Sequence, residues 1–262
     1  MNTHLRSMIT CLVLALAGCG GGSGDSPAPN PPPPLPPPPP PPTDALPGGH
    51  WFGTVTNDLH AVTEEYIAMV DENGRFRFAS VDSAVQMSGN FAIVGDALSG
   101  DGTAFADAGV FWLDSTSATP VTIEGTISSR SEMSGTWTTV AGELGTFEFF
   151  YDPTFYERAS PLNLLAGSWI AYDENLNPQV TFTIAADGSF VGQNTLGCNS
   201  MGQFAVIDAG FNLYEVQSTI ADCVLAGEYI GLAFLGDLLA PNDVLILSND
   251  NGSRAFLTGF ER

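Results

Sequence analysis

Lysine is absent from this chain, and its seven arginines stand against 29 acidic residues, for a net charge of −22. Such a surface is repelled by phosphate backbones and by anionic headgroups, which argues against nucleic acid as a partner and against electrostatic docking on a membrane. Histidine is nearly as scarce. Beyond His4, only His50 and His60 occur, and His50, inside Gly49-His50-Trp51, is expected to face solvent from a strand. A zinc site needs three or four His, Cys or carboxylate ligands, and a catalytic triad needs a base beside its nucleophile. Neither HExxH nor GxSxG is present. The adjacent carboxylates Glu64-Glu65, Asp71-Glu72 and Asp173-Glu174 point to opposite faces of a strand and cannot jointly flank a substrate. Asp71-Glu72-Asn73 and Asp250-Asn251-Gly252 lack the further oxygens of a calcium loop and read as hairpin turns. The expectation is a protein without catalytic residues, metal or cofactor.

Long helical periodicity and bilayer-length apolar runs are also missing. The apolar stretch Met8 to Ala17 follows a single positive charge, Arg6, and is too short to span a membrane, as befits the core of a signal peptide. It ends in Leu16-Ala17-Gly18-Cys19, which resembles the lipobox cleaved before cysteine by the lipoprotein signal peptidase. That resemblance implies a signal peptide over 1–18 and a lipid on Cys19. Gly20, where the enterobacterial sorting rule would place Asp for inner-membrane retention, implies the outer membrane. Residues 19–47 follow as a Gly- and Pro-rich tether, with Leu35 alone interrupting the prolines from Pro31 to Pro42. Polyproline II geometry at about 3.1 Å per residue gives a stalk reaching on the order of 60 Å.

Of four cysteines, Cys11 leaves with the signal peptide and Cys19 carries lipid, so Cys198 and Cys223 remain. Two cysteines in an oxidising compartment, without CxxC spacing or nearby histidine, are expected to form a disulfide.

Beyond the tether, short alternating segments are separated by turn residues every eight to twelve positions, the pattern of an all-β fold. Strands are predicted at 50–56, 65–71, 75–80, 85–95, 97–106, 120–128, 132–140 and 143–152. A second set is predicted at 167–173, 178–186, 189–197, 199–208, 211–222, 227–237, 243–250 and 254–262. Asn73-Gly74, Asp187-Gly188 and Asn251-Gly252 suit tight hairpins. The halves also repeat: Gly49-His50-Trp51 answers Gly167-Ser168-Trp169, Asn73-Gly74-Arg75-Phe76 answers Asp187-Gly188-Ser189-Phe190, and Gly89 to Ile93 answers Gly202 to Val206. The prediction is two tandem antiparallel β-barrels of about eight strands, in domains 48–158 and 159–262, each an up-and-down meander that removes its sheet edges by closing.

Gly-x-Trp at the start of the first strand of an eight-stranded meander resembles the calycin pattern of the lipocalins. The resemblance implies that Trp51 and Trp169 close the barrel floors and that an arginine from the last strand, Arg254 in the second domain, packs over the ring. The first domain departs from it, since strand 143–152 holds no arginine and Arg158 lies beyond. Gly135-Thr136-Trp137 matches the motif where the family has none. Gly197-Cys198-Asn199 with Gly202, Thr219 and Cys223 is similar to the META domains of bacterial envelope proteins, over about 165–262. The layout as a whole is similar to that of proteobacterial outer-membrane lipoproteins with Pro-rich stalks. Leu165-Ala166-Gly167-Ser168-Trp169 also resembles the opening of a periplasmic protease inhibitor.

Phe76, Phe78, Phe91, Phe147 and Phe149, and then Phe182, Phe190, Phe204 and Phe234, recur mostly at even spacing, giving each sheet one apolar face. Eight strands enclose either a filled core or room for one small ligand; so many phenylalanines predict a filled core. The functional expectation is a noncatalytic, lipid-anchored envelope protein displaying two barrels to an envelope or extracellular macromolecule. The alternative is a carrier of a small apolar ligand, for which a mouth with long loops is needed. Phe105 to Pro120 is the one long loop apart from the interdomain segment Tyr151 to Leu162.

Overall fold

The structure, a computed structural model, describes residues 43–83 and 85–262. The signal peptide expected over 1–18, the lipid expected on Cys19 and the expected tether up to Pro42 lie outside the described residues. The last part of the expected tether is described. Gly95 donates to Asp44 Oδ1 at 2.8 Å, Ala45 to the Gly95 carbonyl at 2.8 Å and Leu46 to Ser129 Oγ at 2.9 Å. The chain is therefore bound to the first barrel a few residues before the predicted boundary at 47.

Two closed antiparallel barrels follow in tandem. The first is built from β1 (Gly49–Asn57), β2 (Val62–Val70), β3 (Arg75–Ser80), β4 (Gln86–Val94), β5 (Ala97–Phe105), β6 (Ala118–Ser128), β7 (Glu132–Thr139) and β8 (Leu144–Tyr151). The second comprises β9 (Gly167–Tyr172), β10 (Pro178–Ile184), β11 (Ser189–Asn194), β12 (Asn199–Val206), β13 (Tyr214–Ala221), β14 (Gly227–Gly236), β15 (Val244–Asp250) and β16 (Ala255–Glu261). Each strand pairs with its sequence neighbour, and β1 closes on β8 from Trp51↔Tyr151 to Asn57↔Gly145. In the second barrel β9 meets β16 only at Ile170↔Glu261. The predicted limits differ by at most three residues: β2 begins at Val62 and not 65, β11 ends at Asn194 and not 197, and β13 begins at Tyr214 and not 211. Before β13, Asp208 caps a turn through Gly210 N, and Asn212 is drawn out of the strand to meet His50 of the first barrel with its carbonyl.

Alternation selects what fills each barrel. In the first, Trp51, Val55, Tyr66, Phe76, Phe78, Phe91, Phe147 and Phe149 belong to one buried cluster, and five of the phenylalanines interlock with ring centroids 4.3–5.9 Å apart. Inward glycines let so narrow a barrel coil. Gly125 and Gly135 face one another across β6 and β7, and a Cβ on either would lie 2.1 Å from a carbonyl oxygen of the opposite strand. The second barrel is packed with Trp169, Phe182, Phe190, Phe204, Tyr214, Leu245 and Phe260.

The barrels pack side by side through the outer faces of β1 to β4 and β13 to β15. Met69, Tyr156, Leu213, Leu232 and Phe234 form an apolar cluster between them. Around it, Arg77 pairs with Asp250 and donates to the Ile230 carbonyl at 2.7 Å, Ser88 Oγ donates to Asp250 Oδ2 at 2.9 Å, and Arg75 reaches Glu215 at 2.8 Å. The connector contributes α1 (Pro153–Tyr156), capped by Asp152, and Arg158, which holds Asp237. This packing overturns the expectation that His50 faces solvent. His50 is 1% exposed because barrel two covers the outer face of β1: Phe234 stacks edge-on at 4.0 Å and the ring's Nε2 meets the Asn212 carbonyl at 3.1 Å.

Candidate ligand-binding site at the mouth of the first barrel

In an up-and-down barrel alternate hairpins emerge at the same end. The β1–β2, β3–β4, β5–β6 and β7–β8 connections share one end of the first barrel, opposite Trp51. There the interior opens into a cavity of about 210 Å³. Its wall is mainly apolar, formed by Val55, Val62, Tyr66, Val85, Met87, Ala106, Val110, Phe111, Trp112 and Trp137. Phe76, Phe78 and Phe149 lie further down and complete the floor with Trp51.

The long β5–β6 loop brings Trp112 to this wall. Trp112 N donates to the Thr116 carbonyl, Ser115 N donates back to the Trp112 carbonyl, and Asp114 Oδ1 accepts from both the amide and the hydroxyl of Thr116. Those Thr116 bonds hold the Asp114 carboxyl below its usual pKa. Trp112 is 7% exposed, yet its indole N–H has no partner among the described residues. Trp137 instead donates to the Thr56 carbonyl at 3.2 Å.

A polar group sits at one side of the entrance. Glu143 is 4% exposed. Its Oε2 accepts from Asn57 Nδ2 at 2.8 Å and lies 3.8 Å from His60 Nε2. The hairpin that places it is closed by Thr139, whose amide and hydroxyl both donate to the Glu143 carbonyl. Glu64 lines the same wall and accepts from Ser83 Oγ. Burial, with Glu64 adding to it, pushes the Tyr66 phenol well above its usual pKa. The four hairpins also expose apolar side chains around the opening: Leu59, Val81, Val110, Phe111, Leu113 and Val140. A ring of this kind marks a contact surface more often than an indifferent one.

Of the residues singled out in the sequence, Cys198 and Cys223 are joined, with α-carbons 5.1 Å apart. The bond clasps the start of β12 to the residues after β13, at the end of the second barrel opposite Trp169. Trp51 and Trp169 are both fully buried, one at the end of each barrel. The arginine over Trp169 is not Arg254. Arg262 stands 4.6 Å from the ring centroid and donates to the Leu164 carbonyl, while Trp169 donates to the Leu165 carbonyl at 2.7 Å. Arg254 precedes β16 and donates to the Val224 carbonyl at the other end of the barrel. Seven residues of strand, roughly 23 Å at 3.3 Å each, separate the two positions, and the Glu261↔Ile170 pairing brings only the far one to Trp169. Over Trp51 the cover is Tyr151, edge-on at 5.3 Å.

Glu143, Asn57, Tyr66 and Trp112 carry no motif, and sequence reasoning missed them. The available signals were the length of the loop from Phe105 to Pro120 and the off-pattern Gly-x-Trp at Trp137. Comparison of the chain with family models, curated proteins and solved structures found no match.

Proposed function

We propose that this chain is a noncatalytic, lipid-anchored protein of the bacterial outer envelope whose first barrel receives a small ligand at its mouth, while the second serves as a filled structural partner. The lipobox at Leu16 to Cys19, the Pro-rich tether and the META-like second half support the envelope placement. A macromolecular partner docking on the acidic barrels, the role favoured by the sequence, is here the second reading; the exposed apolar ring at the mouth supports it. The observation that carries the ligand reading is the contrast between the halves: aromatic side chains pack the second interior, whereas the first opens into an apolar-walled cavity.

The volume sets the scale. Drug-sized ligands occupy sites of roughly 300–1,000 Å³, while a dry apolar cavity of about 150 Å³ already accepts benzene. At about 210 Å³ the cavity suits a single ring or a short chain, and not a fatty acid or a porphyrin. The absence of any HExxH or GxSxG motif supports binding without turnover.

Titration with toluene, followed through the fluorescence of Trp112 and Trp137, tests the reading. Saturable binding is expected, and it is lost in Val62→Phe, which fills the mouth from a position 44% exposed and tolerant of bulk. No saturable signal, or one unchanged by Val62→Phe, overturns it.

A further inference from the structure

We infer that the ligand of the first barrel is a compact organic cation, an amine or ammonium group on an apolar body of about one ring. The inference rests on the small-ligand reading above and names its chemical class.

Glu143 carries the argument. A carboxylate removed from water needs a counter-charge or several donors. Among the described residues its Oε2 has the Asn57 amide, with His60 Nε2 at 3.8 Å, and its Oε1 has no hydrogen-bond partner. The chain contains no lysine. Every described arginine is committed elsewhere: Arg75 to Asp71 and Glu215, Arg77 to Asp250, Arg130 to Glu157, Arg158 to Asp237, Arg254 to Val224 and Arg262 to Leu164. The fold thus places a nearly buried carboxylate on the wall of a cavity, one oxygen without a protein partner, with exposed His60 beside it and every described arginine elsewhere.

The surroundings agree. Tyr66, Trp112 and Trp137 supply three aromatic rings to the wall, and aromatic faces attract cations. Glu64 adds a second carboxylate and no arginine lines the cavity, so an anionic ligand meets repulsion. Val55, Val62 and Met87 take the apolar body, with the charged end beside Glu143 and Asn57.

Three probes of one shape and different charge separate the possibilities: 2-phenylethylamine, n-propylbenzene and 3-phenylpropionate, titrated calorimetrically into the whole protein. Without a specific anion in the site the neutral probe binds best, since the amine loses hydration on entry. With Glu143 as counter-ion, the amine is expected to bind at least about tenfold more tightly than the neutral probe, and the carboxylate not to bind. Glu143→Gln keeps the shape and the Asn57 contact and is expected to reduce that preference to about twofold or less. Equal binding of amine and neutral probe, or preference for the carboxylate, overturns the cation and leaves the small-ligand reading standing. If none of the three binds, both readings fall. The wild-type ranking decides even if the variant does not fold, and a preference that persists in folded Glu143→Gln removes Glu143 as its cause.

Discussion

Removing the Asp250 carboxylate tests whether one buried ion pair couples the barrels. The side chains of Arg77 and Asp250 are 4% and 11% exposed, so solvent screens the pair little. Burial holds the Arg77 guanidinium below its usual pKa, and Asp250 opposes that shift. In Asp250→Ala, Arg77 keeps one good bond, to the Ile230 carbonyl at 2.7 Å, while its Nε has no partner to begin with. Ser88 Oγ and the Gly252 amide lose their acceptor as well. Leaving a buried charge uncompensated costs about 3–5 kcal/mol, a large part of the 5–15 kcal/mol that typically stabilises a domain. Replacing both partners, as Arg77→Met with Asp250→Leu, removes the charge and the desolvation cost together and is expected to cost no more than about 1 kcal/mol. Urea unfolding reads the difference. Tryptophan fluorescence, dominated by Trp51, Trp112 and Trp137, follows the first barrel, and the signal lost in a Trp169→Phe background follows the second. The parent is expected to unfold in one coincident transition, and Asp250→Ala to separate the probes. A loss below about 1 kcal/mol in Asp250→Ala, or a double replacement as costly as the single, refutes the reasoning.

Replacing Cys198 and Cys223 by alanine frees a loop of 25 residues and is expected to lower unfolding stability by about 3.5 kcal/mol on the chain-entropy model, read by denaturant titration under nonreducing conditions. Burial lowers the His50 pKa from 6.5 to about 3, so the unfolded chain takes up that proton first; its contribution is complete above pH 6.5 and is lost as pH falls toward 3, at about 1.4 kcal/mol per unit. The stability difference between wild type and His50→Gln, measured from pH 7 to 4, is expected to show that slope, and a pH-independent difference contradicts the burial. Arg262→Ala is expected to destabilise the second barrel by about 1 kcal/mol through the lost contact with Trp169, and Arg254→Ala by less than about 0.5; thermal melts that rank them the other way contradict the assignment of the capping arginine.

Sixteen strands, their order and the closure into two barrels were legible because a period of two, with Gly, Asn and Asp at the turns, is written locally along the chain. Asn73-Gly74, Asp187-Gly188 and Asn251-Gly252 each form the hairpin their residues predict, with glycine at positive φ. The disulfide was legible for a different reason: with Cys11 and Cys19 assigned by expectation to the signal peptide and the lipid, one pairing remained, and Cys198 and Cys223 are joined. What escaped was everything that depends on where a strand's outer face ends up. The alternation of β1 assigns His50 to the outside correctly, yet nothing local says that a second barrel will cover that outside and desolvate it. The choice between Arg254 and Arg262 turned on the Glu261↔Ile170 pairing, a contact across 91 residues that no window of sequence contains. The cavity is a similar case. Phenylalanines predicted a filled core, and they do fill the lower part of the first barrel, but the space above them is set by how four hairpins converge. In sequence Glu143 is only the first residue of the predicted strand 143–152; closure of β8 onto β1 carries it beside Asn57 and the cavity, where it is 4% exposed.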